Sequence, residues 1–373
     1  MVKNQDKWLI LGTGGIGRGL VAQIAQDSGF SIVFGSHSRA KKDYFQKNSK
    51  YTIWLFDPKT NAKIEKKVKI EKAIDITCEE ELIDILSSPE LKIISTSVRV
   101  DNLESVAKIL APALAKIKSK KKLLILVCEN VENNGDKFKK LLEKKKKGVT
   151  KNLIIPNLSV DCFIPPQDTD TKILKREKFG ELKIENQKTK ETSILKKIKN
   201  TEIINDKIIK YYKKKIIGVS GMHAGIAWFG FDAGHKYVHQ AAADPKLQKT
   251  IDKLVIEFSE AIIEETGFPK DKVKQYVKEA RERVGNKNLK DPNERFFRNL
   301  PNKLQVNERF LGPALTIWQK GIEPEALIDI LAIGFKKLIK DEKITNPKLA
   351  IKEICQIPNS AKELENKLLR KVI

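Results

Sequence analysis

The chain has 373 residues, 40% of them hydrophobic, enough for a sizeable core and, as a prior, about two domains. No apolar run approaches the roughly 20 residues of a membrane span, and Cys78, Cys128, Cys162 and Cys355 are scattered without a CxxC pair, the pattern of free thiols. A net charge of +24 raises nucleic acid as a partner, but the lysine clusters at 116–122, 137–147, 196–199 and 213–215 contain almost no aromatics besides Tyr211 and Tyr212, so a lysine-rich surface is preferred.

The first residues, 1–6, contain no apolar stretch of the kind that marks export, and a cytoplasmic location is expected. Residues 7–11 are a short apolar run. Gly12-Thr13-Gly14-Gly15-Ile16-Gly17-Arg18-Gly19 follows, and then an amphipathic stretch from 20 to 25. Strand, G-x-G-x-x-G turn and helix in that order are the context of a dinucleotide-binding unit. Gly12 makes the tight turn, Gly14 admits a pyrophosphate, and Gly17 permits close helix packing. The free N–H groups at the helix start face the phosphates. Gly15 and Ile16, and Thr96 further on, are counted with them as cofactor-binding residues.

A second strand is expected at 30–34. Residues 51–56 and 63–70 alternate with period two around Asp57-Pro58-Lys59-Thr60-Asn61, predicting a hairpin insertion. A helix at 79–86, a buried strand at 92–96, a helix at 102–116, an apolar strand at 123–127 and a strand at 152–155 come next. Strands alternating with helices predict an α/β domain with a Rossmann-type, doubly wound parallel sheet. From 161 to about 200 the chain turns polar, with a strand at 181–185. Beyond 205 it has helical period, at 251–266, 270–284, 325–340 and 361–372, punctuated by Gly267-Phe268-Pro269 and Gly312-Pro313. The expected division is an NAD(P)-binding domain at 1–196 and a mostly α-helical substrate-binding and catalytic domain at 197–373.

An acidic residue near the end of the second strand would bind the ribose 2′-hydroxyl of NAD. Here the segment is Gly35-Ser36-His37-Ser38-Arg39-Ala40-Lys41-Lys42, with no carboxylate before Asp43. Ser36 could bond a 2′-phosphate and Arg39 could neutralise it, so NAD(H) or NADP(H) is expected with a lean to NADP(H). Three segments carry polar groups suited to alcohol oxidation: Cys128-Glu129-Asn130, Val160-Asp161, and 213–224 with its lysines, Ser220 and His223. That chemistry needs a base for the hydroxyl proton and donors for the developing oxyanion. A desolvated lysine can be the base.

These motifs resemble the polyol-specific long-chain dehydrogenases, the mannitol dehydrogenase family, in its shorter mannitol-1-phosphate 5-dehydrogenase branch. The turn at 12–19 is similar to the family's GAGNIGRG, Cys128-Glu129-Asn130 to its CEN or CDN, and Ser159-Val160-Asp161 with Pro165-Pro166 to its VDR…PP. Asn286-x-x-Leu289-Lys290-Asp291, Glu294-Arg295, Arg298, Lys303-Leu304 and Glu308-Arg309 follow its NPYLKD…ER…GR…RKL…DR. Its K-x-x-x-x-N-x-x-H motif falls on Lys215, Ser220 and His223.

The resemblance implies a metal-independent oxidoreductase that interconverts mannitol 1-phosphate and fructose 6-phosphate by hydride transfer with a nicotinamide cofactor. Lys215 would be the general base, Asn130 and Ser220 the oxyanion donors, His223 the hydroxyl-binding residue and Asp161 the residue that orients the site. Arg295, Arg298 and Lys303 are candidates for the substrate phosphate, against structural ion pairing. Ser220 stands for the family's Asn, Ser36 for its Asp and Cys162 for its Arg. His235 and His239, four apart, lack a third ligand and are not read as a metal site. The alternatives are another polyol or a hexuronate as substrate, a nucleotide-binding protein without turnover, and a basic nucleic-acid-binding protein.

Overall fold

A computed structural model describes residues 5–117, 122–167, 172–187 and 189–373. Residues 1–4 of the leading segment and 118–121 of the first lysine cluster lie outside the described residues. The chain divides into two compact units, one of residues 1–57 and 62–209, the other of 58–61 and 210–373.

The strands of the first unit are β1 (Lys7–Leu11), β2 (Ser31–Ser36), β3 (Lys50–Phe56), β4 (Lys63–Lys69), β5 (Lys72–Asp75), β6 (Leu91–Thr96), β7 (Leu123–Val127), β8 (Leu153–Ile154), β9 (Leu158–Asp161), β10 (Ile173–Glu177), β11 (Glu181–Glu185) and β12 (Thr201–Ile204). Six of them form a parallel sheet in the order β5-β2-β1-β6-β7-β8. Chain order reverses beside β1, so the crevice between the ends of β1 and β6 is the switch point where such sheets take ligands. Trp8 and Ile10 of β1 feed one core with Leu124 and Leu126, while Leu9 and Leu11 feed another with Ile125 and Val127. Burial on both faces is why these strands are continuous apolar runs.

Two three-stranded sheets, β10-β3-β4 and β12-β11-β9, complete the unit. The antiparallel β3–β4 hairpin is the expected insertion, but β3 also pairs in parallel with β10. The strand β10 is hidden in the sequence because two of its buried residues are charged. Arg176 is 1% exposed; it donates to the carbonyls of Glu177 at 2.6 Å and Phe179 at 3.0 Å and to Gln23 Oε1 at 2.5 Å. A guanidinium whose two terminal nitrogens find oxygen acceptors can be buried where an apolar residue is expected, although Nε of Arg176 has no partner among the described residues. Residues 197–209, expected in the second domain, belong to the first unit because β12 pairs with β11.

The second unit is helical, as expected. The helices Gln248–Thr266 and Lys270–Val284 pack together, and Leu311–Trp318 and Glu325–Glu342 pack on the first of them. At the centre the helix Met222–Asp232 is buried on all sides from Met222 to Gly230. Its Trp228 stacks on Phe297 at 5.1 Å between ring centroids. Among the described residues no helix is long and apolar enough to cross a membrane.

Candidate active site

In the first unit the glycine turn follows β1 directly. Gly12 has φ +103°, and a Cβ there would stand 2.5 Å from the Ser97 carbonyl oxygen. A Cβ on Gly17 would overlap the Gly12 carbonyl, which accepts the Ser97 hydroxyl at 3.0 Å. Gly14 is different, because nothing lies within 4 Å of the place its Cβ would occupy. Space left open at the middle glycine is what a pyrophosphate needs. Gly15 faces Ile164 and Ile16 packs on the core, so these two shape the turn from behind. The helix begins as a π turn, Gly17–Val21.

A cavity of about 380 Å³ opens from Gly12 and Gly14 and is lined by apolar Ile76, Val106 and Ile109 and by polar Ser36, His37 and Lys41. A mostly apolar cavity with a few polar groups suits an adenosine. Arg39 is outside the lining but begins the helix Arg39–Lys47, capped by Ser38. The Ser36 hydroxyl accepts the Ser38 N–H at 3.1 Å. The nearby carboxylates are engaged elsewhere. Asp75 accepts the Thr77 hydroxyl at 2.7 Å, which holds its carboxyl below the usual range, and Glu81 pairs with Lys42.

Thr96 is fully buried and donates its hydroxyl to Glu129 at 2.6 Å, so Ser97 and Val98 line the cavity in its place. Glu129 also accepts the Val98 N–H at 2.8 Å, and burial pushes its carboxyl above the usual value. Asn134 fixes the same turn from the other side. Its amide donates to the carbonyls of Val127, Glu129 and Leu158 and accepts from the Gly135 and Leu158 N–H groups. Exposed Asn130 thus sits on a turn held by two buried polar residues. Asp161 is buried at the end of β9, and the Cys162 beside it accepts from Arg176 at 3.5 Å.

The helix Ile208–Lys215, which enters the second unit at Lys210, runs into a π turn, Ile216–Gly221, and then into the helix Met222–Asp232. Residues 215 and 220 would lie about 140° apart around a regular α-helix. The wider π turn, bonded i to i+5, brings them to one face, and Ser220 and His223 share it by three-residue spacing. His223 Nε2 lies 3.2 Å from the Asp291 carboxylate, and both residues are buried. Burial lowers the His223 pKa below its ordinary value, against the pull of Asp291. Burial opposes charge on Asp291 too, but hydrogen bonds from His223 and Arg295 hold it below the usual carboxylate range.

Arg295 grips Asp291 through Nε and Nη2, so it is an ion-pair partner behind His223. The Phe296 ring packs on the His223 ring at 4.5 Å, and its carbonyl accepts Lys303 Nζ at 2.6 Å. Burial, then Arg309, Arg295 and Arg298, bring the Lys303 pKa down to about 7. Arg309 donates to Glu308 at 3.1 Å, and Arg298 is exposed.

Asp291, Glu129, Asn134, His37 and Arg309, to which the sequence assigned no role, join the expected residues in these contacts. The four-residue step from Asp291 to Arg295 was the available signal for that ion pair. His235 bonds Asp244 at 2.7 Å, and among the described residues no three His, Cys, Asp or Glu converge as for a metal.

The model of the mannitol dehydrogenase Rossmann domain matches residues 6–197, and that of the mannitol dehydrogenase C-terminal domain matches residues 207–365. The chain belongs to the mannitol dehydrogenase family. It is therefore an oxidoreductase with that family's two-domain fold. The mannitol-1-phosphate 5-dehydrogenase of Thermoanaerobacter pseudethanolicus is 30% identical over 336 residues, covering 87% of this chain and 84% of the relative. The Emericella nidulans protein of that name is 27% identical over 345 residues, covering 90% and 88%. The structure of Pseudomonas fluorescens mannitol 2-dehydrogenase, a ternary complex with NAD and D-mannitol, superposes with a TM-score of 0.75. It covers 99% of this chain and 92% of that one at 15% identity, a likeness of fold.

Proposed function

We propose that this mannitol dehydrogenase family member interconverts mannitol 1-phosphate and fructose 6-phosphate with NADP(H) favoured over NAD(H). The observation that carries the phosphate is Lys303, a half-buried ammonium with one carbonyl partner inside the field of three arginines. Such a group gains most from a dianion. Lys303, Arg298 and Arg309 take the phosphate in this reading, while Arg295 holds Asp291 and thereby His223. The names of the relatives above agree with this substrate.

The nicotinamide supplies the hydride acceptor. Lys215 takes the hydroxyl proton as the carbinol C–H bond breaks and the carbonyl forms; in the reverse direction it returns that proton. Asn130 and Ser220 donate to the oxygen on which negative charge develops. His223 binds the polyol hydroxyls, and Asp161 orients the site. None of these roles requires a metal. NADP(H) is supported by the lining of the cavity, which includes Ser36, His37 and Lys41 and, among the described residues, no carboxylate, while Arg39 is two residues from Lys41 and Asp75 and Glu81 are engaged elsewhere.

The test mixes the protein with fructose 6-phosphate or fructose and with NADPH or NADH, following the absorbance of the reduced cofactor. Fastest turnover is expected for fructose 6-phosphate with NADPH. Turnover of fructose alone would contradict the substrate, and strict use of NADH would contradict the cofactor.

A further inference from the structure

Two lysines precede the proposed base, and each is held in a different way. Lys213 Nζ lies 3.0 Å from Glu265 of the helix Gln248–Thr266, whose other carboxylate oxygen accepts the Thr316 hydroxyl at 3.2 Å. Lys214 Nζ lies over three aromatic rings, 4.3 Å from the centroid of Tyr276, 5.1 Å from Phe268 and 5.6 Å from Tyr211. The Tyr211 and Phe268 rings meet edge to face at 5.0 Å, so the three rings form a box. Ring faces attract an ammonium and not a neutral amine. The π turn begins one residue after Lys215. Lys213 and Lys214 therefore anchor the last α turn on two sides where the helix changes its pitch.

We propose that Lys214 is a positioning residue for Lys215. Its caged ammonium fixes the backbone at the entry to the π turn, from which Lys215 extends, and holds a positive charge at the adjacent position, which favours the neutral form of Lys215. A neighbouring cation is one of the ways a lysine is made basic enough to work without its proton. Among the titratable groups near this helix end are Tyr211, Tyr212 and Lys213 on the same helix, Tyr276 on the helix Lys270–Val284, and Glu265 on the helix Gln248–Thr266, which pairs with Lys213. The inference rests on Lys215 acting as the base.

The test is the pH profile of kcat/KM for mannitol 1-phosphate oxidation by the full chain and four variants. Lys214→Met should move the limb that reports the base about one unit to higher pH and slow turnover near pH 7 about tenfold. Lys214→Arg, which can also sit over aromatic faces, should restore the limb. Tyr276→Leu removes the nearest ring from another helix and should move the limb the same way, which decides the matter if Lys214→Met does not fold. An unmoved limb in Lys214→Met, or in Tyr276→Leu where the first variant does not fold, overturns the inference. Lys215→Ala separates the two readings: native turnover in that variant would remove Lys215 as the base. Loss of turnover there with an unmoved Lys214→Met limb would remove only the part given to Lys214.

Discussion

Ser36 ends β2, where the proposed choice between dinucleotides would turn on one charge. It lines the cavity together with His37 and Lys41, and Asp75, its neighbour across β2 and β5, is turned onto Thr77. Ser36→Asp would place a carboxylate against a 2′-phosphate, a like-charge contact that costs several kcal/mol. The ratio of kcat/KM with NADPH to that with NADH should fall by about 10- to 100-fold in this variant; an unchanged ratio would remove Ser36 from the cofactor site. Ser36 and Gly12 were legible in the sequence because turn chemistry is local: the residues that build the turn are adjacent. Glu129 and Asp291 were not, because their partners lie elsewhere in the chain. Glu129 acts on Thr96 and Val98, some thirty residues earlier, and Asp291 on His223, almost seventy residues earlier. Nothing within a window of one turn or one strand distinguishes such a carboxylate from a solvated one.

Regular elements were legible wherever one hydrophobic period ran unbroken. The strand β7 and the helix Lys270–Val284 were expected at the bounds the structure gives. Elements with mixed period were not. Buried Arg176 and Glu177 concealed β10, and no feature of the sequence marked the π turn Ile216–Gly221. A π turn is in effect a residue inserted into an α-helix, and such insertions recur at functional sites. Here it accounts for the five-residue step between Lys215 and Ser220. Inserting an alanine after Val219 makes the step six residues, one more than the π turn takes up, and should turn Lys215 about 100° away from Ser220 and His223. Far-UV circular dichroism should show the helix content kept, while turnover falls at least about 100-fold, as expected when catalytic groups are misplaced by more than an ångström. Retained activity in a folded variant would show that the π turn does not align the site.

At the scale of the whole molecule, the excess of positive charge does not have one use. Lys116, Lys145 and Lys213 pair with Glu79, Glu104 and Glu265, which is the behaviour of a lysine-rich surface. Lys303 differs in kind, being drawn inward among like charges beside the Phe296 carbonyl. The two-domain plan was legible from the change of period near residue 200, because parallel strands and long helices bury their apolar faces differently. The small sheet that carries β12 past that point was not, since short polar strands have little pattern to show. Selection of a phosphorylated sugar through Lys303 is the centre of the proposed function. The direct measurement is the ratio of kcat/KM for fructose 6-phosphate to that for fructose, followed with pH in the native protein and in Lys303→Met. With a pKa brought down to about 7, Lys303 is charged below that pH and neutral above it. The native ratio should therefore be high near pH 6 and fall as pH rises through 7. In Lys303→Met it should be about 10- to 100-fold lower near pH 6, with fructose itself little affected. A native ratio near one, or a ratio that Lys303→Met leaves unchanged, would contradict the account.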